Sequence, residues 1–228
     1  MNYVVPIPEI KFIPVVGTDS RFPVRKIYCV GRNFADHAIE MGGDPDREPP
    51  FFFTKPGTAI ATNGEDVTYP TMTNNLSHEI ELVVALSKEA HNISKEAAID
   101  CVFGYAVGNE LTRRDLQAEA KRTGRPWDTG KGFDCSALVS SVKPIEMTGE
   151  ITDGQILLKI NGELRQQGNL NQMIWKVNEV IAELSSLFVL KPGDLIYTGT
   201  PAGVGVINKG DVMEGYIEGV GTLTNRIV

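Results

Sequence analysis

The strongest constraint on the fold is a pair of glutamates, Glu79 and Glu81, that opens the apolar run 82–86. Side chains of a β-strand alternate between its two faces, so both carboxylates would point to one side of a largely buried strand. Adjacent buried carboxylates repel each other and lose hydration, and a hard divalent cation with oxygen ligands neutralises them best. Taken alone, the pattern is more typical of an exposed edge strand with two solvated glutamates.

A third carboxylate, Glu110, lies just before a predicted helix. Thr112-x-x-Asp115 resembles a capping box with Asp in place of Glu, and Gly124 is a typical residue after a helix end. The N-terminus of such a helix would direct free N–H groups at whatever the carboxylates bind.

Two side chains of this helix, Arg114 and Gln117, are spaced i, i+3 and share one face. They are therefore candidate ligand-binding residues, although a solvated helix surface is the plainer interpretation. For Arg113 and Lys121 we predict solvent exposure.

A second short helix is predicted over residues 34–41, with Asn33 as its cap. It carries His37 and Glu40 at i, i+3, where a carboxylate can orient an imidazole and raise its basicity. A helix-surface ion pair is the alternative. The charged, proline-rich residues 44–50 that follow are a candidate lid.

Two glycine-containing segments add further candidates. Lys131 lies between glycines that would let the backbone approach a ligand, so it is either an electrophilic partner for an oxyanion or a surface charge. The loop 198–205 could place backbone N–H groups around a carboxylate. It lacks the ending of a Walker motif, and a glycine-rich loop alone is weak support for a site.

Composition narrows the class of protein. The chain has 228 residues, 42% hydrophobic and 22% charged, with a net charge of -7. These values predict a folded protein that does not bind nucleic acid as its main partner and does not span a membrane. A secretory signal is not recognised, and three widely spaced cysteines indicate buried thiols in a reducing, cytoplasmic compartment.

Short strands dominate the predicted elements. Asn161-Gly162 between two strand-like runs is a strong hairpin signal, and helical spacing predicts an amphipathic helix over residues 173–186. The few helices do not alternate regularly with the strands, which favours an α+β fold with a rolled or sandwiched sheet over a doubly wound one. Residues 1–24 are predicted to be a short extension and residues 25–228 the catalytic domain.

Taken in order, seven segments resemble the fumarylacetoacetate hydrolase family, and within it the small acylpyruvate hydrolases, particularly fumarylpyruvate hydrolases. The segments are CVGRNFADH (29–37), FFTKP (52–56), HEIEL (78–82), GNELTRRDLQ (108–117), KGFD (131–134), NGE (161–163) and GDLIYTGTP (193–201). The resemblance implies a mixed β-roll or β-sandwich core of the fumarylacetoacetase C-terminal type with a few peripheral helices. It also implies a homodimer, a Mg²⁺ or Mn²⁺ ion and a role in aromatic catabolism.

The resemblance assigns roles residue by residue. Glu79 and Glu81 match two metal-ligand positions, and Glu110 matches a third that is usually Asp. The catalytic positions match His37, Glu40 and Lys131. Substrate-contacting positions match Arg114, Gln117 and Thr200, and Arg32 or Arg114 is a candidate for binding a distal carboxylate. Phe34 replaces a common tyrosine.

The implied reaction is hydrolysis of a carbon–carbon bond in a ketonic substrate. A 2,4-dioxo acid would bind the ion, and His37, oriented by Glu40, would activate water for attack at C4, with Lys131 stabilising the oxyanion or protonating the leaving carbon. Cleavage between C3 and C4 would release pyruvate. Two alternatives stay open: an oxaloacetate decarboxylase or 2-hydroxy-dienoate keto–enol isomerase on the same scaffold, and a non-enzymatic oxyacid-binding or metal-stabilised protein.

Overall fold

The computed structural model describes residues 3–35 and 48–228. The strands of these residues are β1 Phe12–Pro14, β2 Arg21–Pro23, β3 Lys26–Gly31, β4 Phe51–Pro56, β5 Ile60–Thr62, β6 Asp66–Val67, β7 Leu76–Ser77, β8 Ile80–Leu86, β9 Val102–Glu110, β10 Thr112–Arg113, β11 Ala137–Val139, β12 Lys143–Pro144, β13 Gln155–Ile160, β14 Glu163–Asn169, β15 Asp194–Tyr197, β16 Val212–Ile217 and β17 Gly221–Ile227. The α-helices are α1 Lys95–Ala98, α2 Arg114–Thr123, α3 Asp128–Lys131, α4 Ile145–Thr148 and α5 Val177–Leu187. Single 3₁₀ turns lie at Gly57–Ala59, Ile99–Cys101 and Leu170–Gln172.

Two sheets make up most of the described fold. The larger is mixed and has the strand order β4-β3-β15-β8-β9-β11-β5, with β12 paired to β9 beside this path. The second has the order β14-β13-β16-β17-β6. Two short pairs, β1 with β2 and β7 with β10, complete the pairing among the described strands. The predicted α+β, sheet-dominated fold is therefore confirmed, and a doubly wound fold is not formed.

The central strand β8 is buried on both faces. Ile80 and Leu82 pack in a cluster with side chains of β13, β16 and α5. Val83 and Ala85 point the other way, into a second cluster that includes Ile13 of the β1–β2 hairpin. Burial on both faces explains why the apolar run is continuous rather than alternating.

A polar cleft lies at the end of this second face, where polar side chains replace the apolar ones. The alternation leads from Val83 to Glu81 along β8 and to Glu79 just before it, and from Ala106 to Glu110 along β9. Gly31, at the end of β3, and Gly199, just after β15, line the cleft together with the three glutamates. The same pattern that forms the core thus delivers the carboxylates to one place.

Most predicted elements form, with shifted ends. The hairpin turns at Asn161 and Gly162, which both have positive φ, at 53° and 81°. The predicted helix 173–186 begins only at Val177, since a 3₁₀ turn and an extended stretch precede it. Strand β4 lies at an edge of the larger sheet, and its first residue, Phe51, is exposed.

Some predictions are not reached by the described residues. The helix 34–41 lies almost wholly outside them, as do His37, Glu40 and most of the candidate lid. The division at residue 24 stays a prediction; β1 and β2, which fall in the proposed extension, pack on the second cluster. Among the described helices, none has the length and apolar character needed to cross a membrane.

Candidate active site

The three predicted carboxylates meet at the floor of the cleft. Each of Glu79, Glu81 and Glu110 offers one carboxylate oxygen, and these oxygens lie within 4.8 Å of one another. All three side chains are buried. The backbone fixes the arrangement, because the N–H of Glu110 donates to the carbonyl of Glu79 at 2.8 Å. Asn109 supports it by accepting from the N–H of Glu79 at 2.9 Å.

Three cationic side chains balance two of these carboxylates. Lys131 Nζ donates to Glu79 Oε2 at 2.9 Å and to Glu110 Oε2 at 3.0 Å. Arg114 pairs with Glu79 Oε1, and Lys55 Nζ lies 3.2 Å from Glu110 Oε1. Burial by itself would lower the pKa of Lys131, but the charges of Glu110 and Glu79 outweigh it and raise that pKa. The cleft therefore holds a protonated lysine among its acids.

Glu81 has a different environment. Its Oε2 accepts a hydrogen bond from the backbone N–H of Gly199 at 2.7 Å. Burial, reinforced by the charges of Glu110 and Glu79, raises the pKa of Glu81 well above its usual value. The predicted use of the 198–205 loop around a carboxylate is thus realised on the protein's own Glu81. Gly199 is required there, since its φ is 96° and a Cβ would lie 2.8 Å from the Cβ of Asn33.

The donor set fits a hard divalent cation. It consists of carboxylate oxygens only, as Mg²⁺ and Mn²⁺ prefer. Glu110 Oε1 is buried, and no donor in the described chain meets it with hydrogen-bond geometry, although Lys55 is close. Because buried carboxylate oxygens are nearly always satisfied, this oxygen suits a metal ligand. The extra methylene of Glu110, compared with Asp, leaves its oxygens within reach of both lysines.

Lys131 reaches the floor from the short helix α3, which packs tightly on α2. A Cβ on Gly130 would lie 3.0 Å from the backbone nitrogen of Gln117. The glycine beside Lys131 therefore allows helix α3 to approach helix α2. This corrects our interpretation of Gly130 as a place where the backbone approaches a ligand.

Helix α2 presents three polar side chains to the cleft: Arg114, Gln117 and Lys121. Arg114 Nη1 donates to Gln117 Oε1 at 2.8 Å. Lys121 Nζ lies 4.9 Å from the centre of the Trp127 ring. Lys121 is exposed, as predicted, and it also lines the cleft. Its i, i+7 spacing from Arg114 was the signal that identified the shared face.

The prediction of solvent exposure was wrong for Arg113, which is half-buried. Its guanidinium stacks 4.5 Å from the centre of the Phe133 ring and donates to the carbonyl of Thr129 at 3.2 Å.

The predicted capping box does not form. Arg113 is the residue at the N-cap, with no side-chain cap, and Thr112 Oγ1 lies 3.3 Å from Glu79 Oε1 instead. Asp115 accepts from Thr73 Oγ1 at 2.6 Å and from the Asn74 N–H at 3.0 Å. The motif therefore ties the helix to the site and to a neighbouring loop.

Lys55 belongs to the FFTKP segment, and the structure gives it a role that the sequence did not predict. Its ammonium is buried and lies against Glu110, the carbonyls of Leu111 and Lys131, and both oxygens of Ser136. The signal in the sequence was alternation along β4, which places Lys55 on the same face as Phe51 and Phe53 of the cleft wall.

Thr200 lies beside the floor and is held by a buried network that the sequence gave no sign of. Gln166 Nε2 donates to Thr200 Oγ1 and to the carbonyl of Pro201, both at 2.8 Å. Gln166 Oε1 lies 2.8 Å from His78 Nδ1 and accepts from the N–H of Ile80 at 3.0 Å. Nothing in the pattern of β14 marked Gln166 as the inward residue.

The upper part of the cleft combines aromatic and positive groups. Phe51 packs edge-on against Trp127, with ring centres 5.2 Å apart. Arg32 is exposed, lines the same cleft and has a positive φ of 56°. The structure thus brings eight of the ten predicted site residues to one cleft, and the other two, His37 and Glu40, lie outside the described residues.

Comparison with known proteins assigns the family. The fumarylacetoacetate (FAA) hydrolase C-terminal family matches residues 26–228. This chain belongs to that family. The fold resembles that of fumarylpyruvate hydrolase from Pseudomonas aeruginosa in complex with Mn²⁺ and pyruvate, with a TM-score of 0.97, 45% identity and coverage of 100% of this chain and 99% of that one.

Relatives with different activities are similar at the sequence level. The fumarylpyruvate hydrolase of a Ralstonia species is 42% identical over 187 residues, covering 81% of this chain and 96% of that protein. The mitochondrial oxaloacetate tautomerase FAHD1 of Bos taurus is also 42% identical, over 196 residues, covering 86% and 88%. Identity alone therefore does not separate hydrolysis from tautomerisation.

Proposed function

We propose that this protein is a metal-dependent hydrolase that cleaves the C3–C4 bond of an acylpyruvate, giving pyruvate and a carboxylic acid. The observation that carries the proposal is the cluster of Glu79, Glu81 and Glu110 with the ammonium of Lys131 in one buried cleft. The likeness to fumarylpyruvate hydrolases, one of them in complex with Mn²⁺ and pyruvate, supports it.

The three glutamates would hold Mg²⁺ or Mn²⁺. When bound, the ion supplies Lewis acidity and a template for the two oxygens of the dioxo head. Glu110, in place of the usual Asp, contributes from the end of β9, and Lys55 Nζ lies 3.2 Å from its Oε1.

Lys131 is the group proposed to meet the negative charge that develops during cleavage. Lys131 is buried, which alone would lower its pKa, but the charges of the neighbouring carboxylates outweigh burial and raise that pKa. It therefore carries a proton at neutral pH. A preorganised ammonium in a water-poor site stabilises an oxyanion far more than it would in water. The same proton is available to the leaving carbon.

Water activation is assigned to His37, with Glu40 orienting it. These two residues come from the resemblance, and the pair is the element that hydrolysis requires and tautomerisation does not. His37→Ala is therefore expected to lower hydrolysis by about two to four orders of magnitude. Mn²⁺ binding should persist, because His37 is not a proposed ligand; wild-type hydrolysis by this variant would disprove the assignment.

Fumarylpyruvate is the proposed preferred substrate. Arg32 and Lys121 line the cleft beyond the floor and bring positive charge for a distal carboxylate, while Gln117 and Thr200 offer polar contacts nearer the carboxylate cluster. Arg114 is the other candidate for the distal carboxylate, but it already pairs with Glu79.

The deciding experiment is turnover of a panel of acylpyruvates and oxaloacetate by the metal-free protein reloaded with Mg²⁺ or Mn²⁺. We expect acylpyruvate cleavage, with pyruvate formed in equal amount to the acid, and loss of cleavage on chelation. Lys131→Met should lose cleavage, whereas Lys209→Met, which changes an exposed lysine, should not. Full turnover by the chelated protein would refute the role of the metal.

A tautomerase acting on oxaloacetate is the second candidate, favoured by the likeness to FAHD1. It would use the same cleft without attack by water. The two functions separate in one assay: a tautomerase exchanges the keto and enol forms of oxaloacetate rapidly and forms no acid from acylpyruvate. Retention of that exchange by His37→Ala, with loss of hydrolysis, would show that both reactions occur in one cleft.

A further inference from the structure

The hydrogen-bond directions around Gln166 are fixed by its partners. The N–H of Ile80 can only donate, so the atom of Gln166 that faces it is the acceptor Oε1. The other atom is then the amide nitrogen, which donates to Thr200 Oγ1 and to the carbonyl of Pro201. His78 must carry its proton on Nδ1, because Oε1 can only accept.

This arrangement determines what Thr200 can offer to a ligand. One lone pair of its hydroxyl is used by Gln166. Both groups are buried, so water does not compete freely for the hydroxyl. Thr200 lines the cleft directly after Gly199, whose N–H holds Glu81. Its O–H is therefore available to donate beside the carboxylate cluster.

We propose that Gln166 is a positioning residue that turns the Thr200 hydroxyl toward the cleft as a hydrogen-bond donor, so that it favours a charged acceptor there, the carboxylate of pyruvate. The inference rests on the proposed function, since it deepens the recognition of the pyruvate end of the substrate. A carboxylate presents a charged acceptor with either oxygen, whereas an amide has one neutral acceptor and one NH₂ group that cannot accept. Gln166 thus selects acids over amides without contacting the ligand.

The test uses binding of pyruvate and of pyruvamide to the Mn²⁺-loaded full-length protein by calorimetry. Wild type should prefer pyruvate by tenfold or more, as expected for a hydrogen bond to a charged group. Gln166→Glu keeps the shape but places an acceptor against Thr200, whose hydroxyl must then turn toward residue 166. Pyruvate affinity should fall about tenfold or more, and pyruvamide affinity should not fall.

A double-mutant cycle separates hydrogen-bond direction from the added charge. In a Thr200→Val background, Gln166→Glu should have little further effect on pyruvate, because its effect acts through the hydroxyl. A full additional loss there would mean charge repulsion and would overturn the proposal. Thr200→Ser should retain the preference of the wild type. Gln167→Glu, an exposed neighbour on β14, controls for charge on the strand.

Folding and function are read separately. Mn²⁺ binding by Gln166→Glu should be near that of wild type, because Gln166 is not a proposed ligand. Its Tm should fall, because a carboxylate is buried and the Pro201 carbonyl loses its donor. If Gln166→Glu does not fold, Gln166→Met replaces it, with a several-fold loss of pyruvate affinity expected because the hydroxyl is no longer held. Equal pyruvate binding by wild type and the Gln166 variants overturns the inference and leaves the hydrolase proposal intact. Altered binding in a protein that cleaves no acylpyruvate overturns the proposed reaction and leaves the inference intact.

Discussion

Glu81 is the one member of the carboxylate cluster for which the described structure supplies no cationic partner within ion-pair distance. Burial first, and then the charges of Glu110 and Glu79, raise its pKa well above the usual value. Its charge is thus a cost to the metal-free fold and a benefit to a bound cation. The same residue should therefore affect stability in opposite directions in the two states.

Glu81→Gln tests this opposition. The amide can still accept from Gly199, so packing is kept while the carboxylate is removed. The metal-free variant should melt higher than wild type by about 2–4 °C per kcal/mol of repulsion relieved. Adding Mn²⁺ at one hundred times its Kd should raise the unfolding free energy of wild type by about 2.7 kcal/mol, and its Tm should rise accordingly. The variant should be stabilised little by the same addition.

Thermal unfolding with and without Mn²⁺ measures both effects of Glu81→Gln. Glu214→Gln, an exposed glutamate on β16, is the matched control and should behave as wild type. An equal Mn²⁺-dependent gain in the Glu81 variant would remove Glu81 from the ligand set.

Lys55 shows the converse case, a buried cation whose loss leaves several acceptors unpaired. Lys55→Met should destabilise the protein by about 3–5 kcal/mol, the usual result of removing one partner of a buried ion pair. That corresponds to roughly 6–20 °C in Tm. Lys26→Met is the control, because Lys26 stacks over Tyr28 and Phe188 without a buried ion pair in the described structure. Similar Tm values for the two variants would contradict the role given to Lys55.

At the scale of elements, helix α2 is held by Asp115, whose carboxylate accepts from Thr73, from the Asn74 N–H and from the Leu116 N–H. Burial alone would raise the pKa of Asp115, but these hydrogen bonds outweigh it and lower that pKa. Since the folded pKa lies below the unfolded one, the stabilisation is present above the unfolded value of about 3.9. It is lost as the pH falls through the folded pKa.

Asp115→Asn should therefore lower Tm by about 2–4 °C near pH 7, the effect of roughly 1 kcal/mol in a protein of this size. The difference from wild type should shrink as the pH falls from about 3.9 toward the lower folded pKa, because the wild-type carboxylate becomes protonated as the pH passes through that pKa. Melting curves across pH 3–7 measure it. A difference that is constant over this range would mean that the carboxylate charge contributes nothing.

The elements also show which features of the site could be predicted from the sequence. Alternation along β8 was enough to predict that Glu79 and Glu81 share a face, because period 2 is a local property. Thr112 and Asp115 misled the capping prediction, since a hydroxyl and a carboxylate can bond to any nearby donor or acceptor that the tertiary fold supplies. The role of Gln166 could not be predicted from the sequence for the same reason. Its partners are on β8 and after β15, far away in the chain.

At the scale of the whole molecule, the net charge is -7, but the charges that line the cleft have a different balance. Four cationic residues line it, Arg32, Arg114, Lys121 and Lys131, against the three glutamates. The lowering of the Lys121 pKa follows from burial first and then from the charges of Arg114, Arg32 and Lys131. The molecule is acidic overall, and yet it presents positive charge to a substrate entering this cleft.

A bound cation would add to that surplus, and the balance then favours a dianionic substrate.

The resemblance to the family also implies a homodimer. We keep this as a proposal, which sedimentation of the purified protein tests directly. The exposed apolar side chains of the N-terminal segment, among them Val4, Val5 and Ile7, are consistent with a covered surface there.

The surplus of positive charge predicts a preference for fumarylpyruvate over acetylpyruvate. Arg114 is engaged by Glu79 and Gln117, so the distal carboxylate is assigned to Lys121 and Arg32. A site built for a charged group rejects a neutral tail, because its cation would be left unpaired. We expect kcat/KM to favour fumarylpyruvate by tenfold or more. In Lys121→Met or Arg32→Met this ratio of kcat/KM values should fall, because kcat/KM decreases for fumarylpyruvate and does not change for acetylpyruvate.

Arg122→Met is the matched control for this preference. Arg122 follows Lys121 on α2 but pairs with Glu119 on the exposed side of the helix, so its loss changes the net charge without changing the cleft. The substrate ratio of this variant should equal that of wild type. Equal kcat/KM values of wild type for the two substrates would remove the diacid preference while leaving acylpyruvate hydrolysis in place. A ratio that falls equally in all three variants would mean that long-range charge, rather than a contact with Lys121 or Arg32, attracts the diacid.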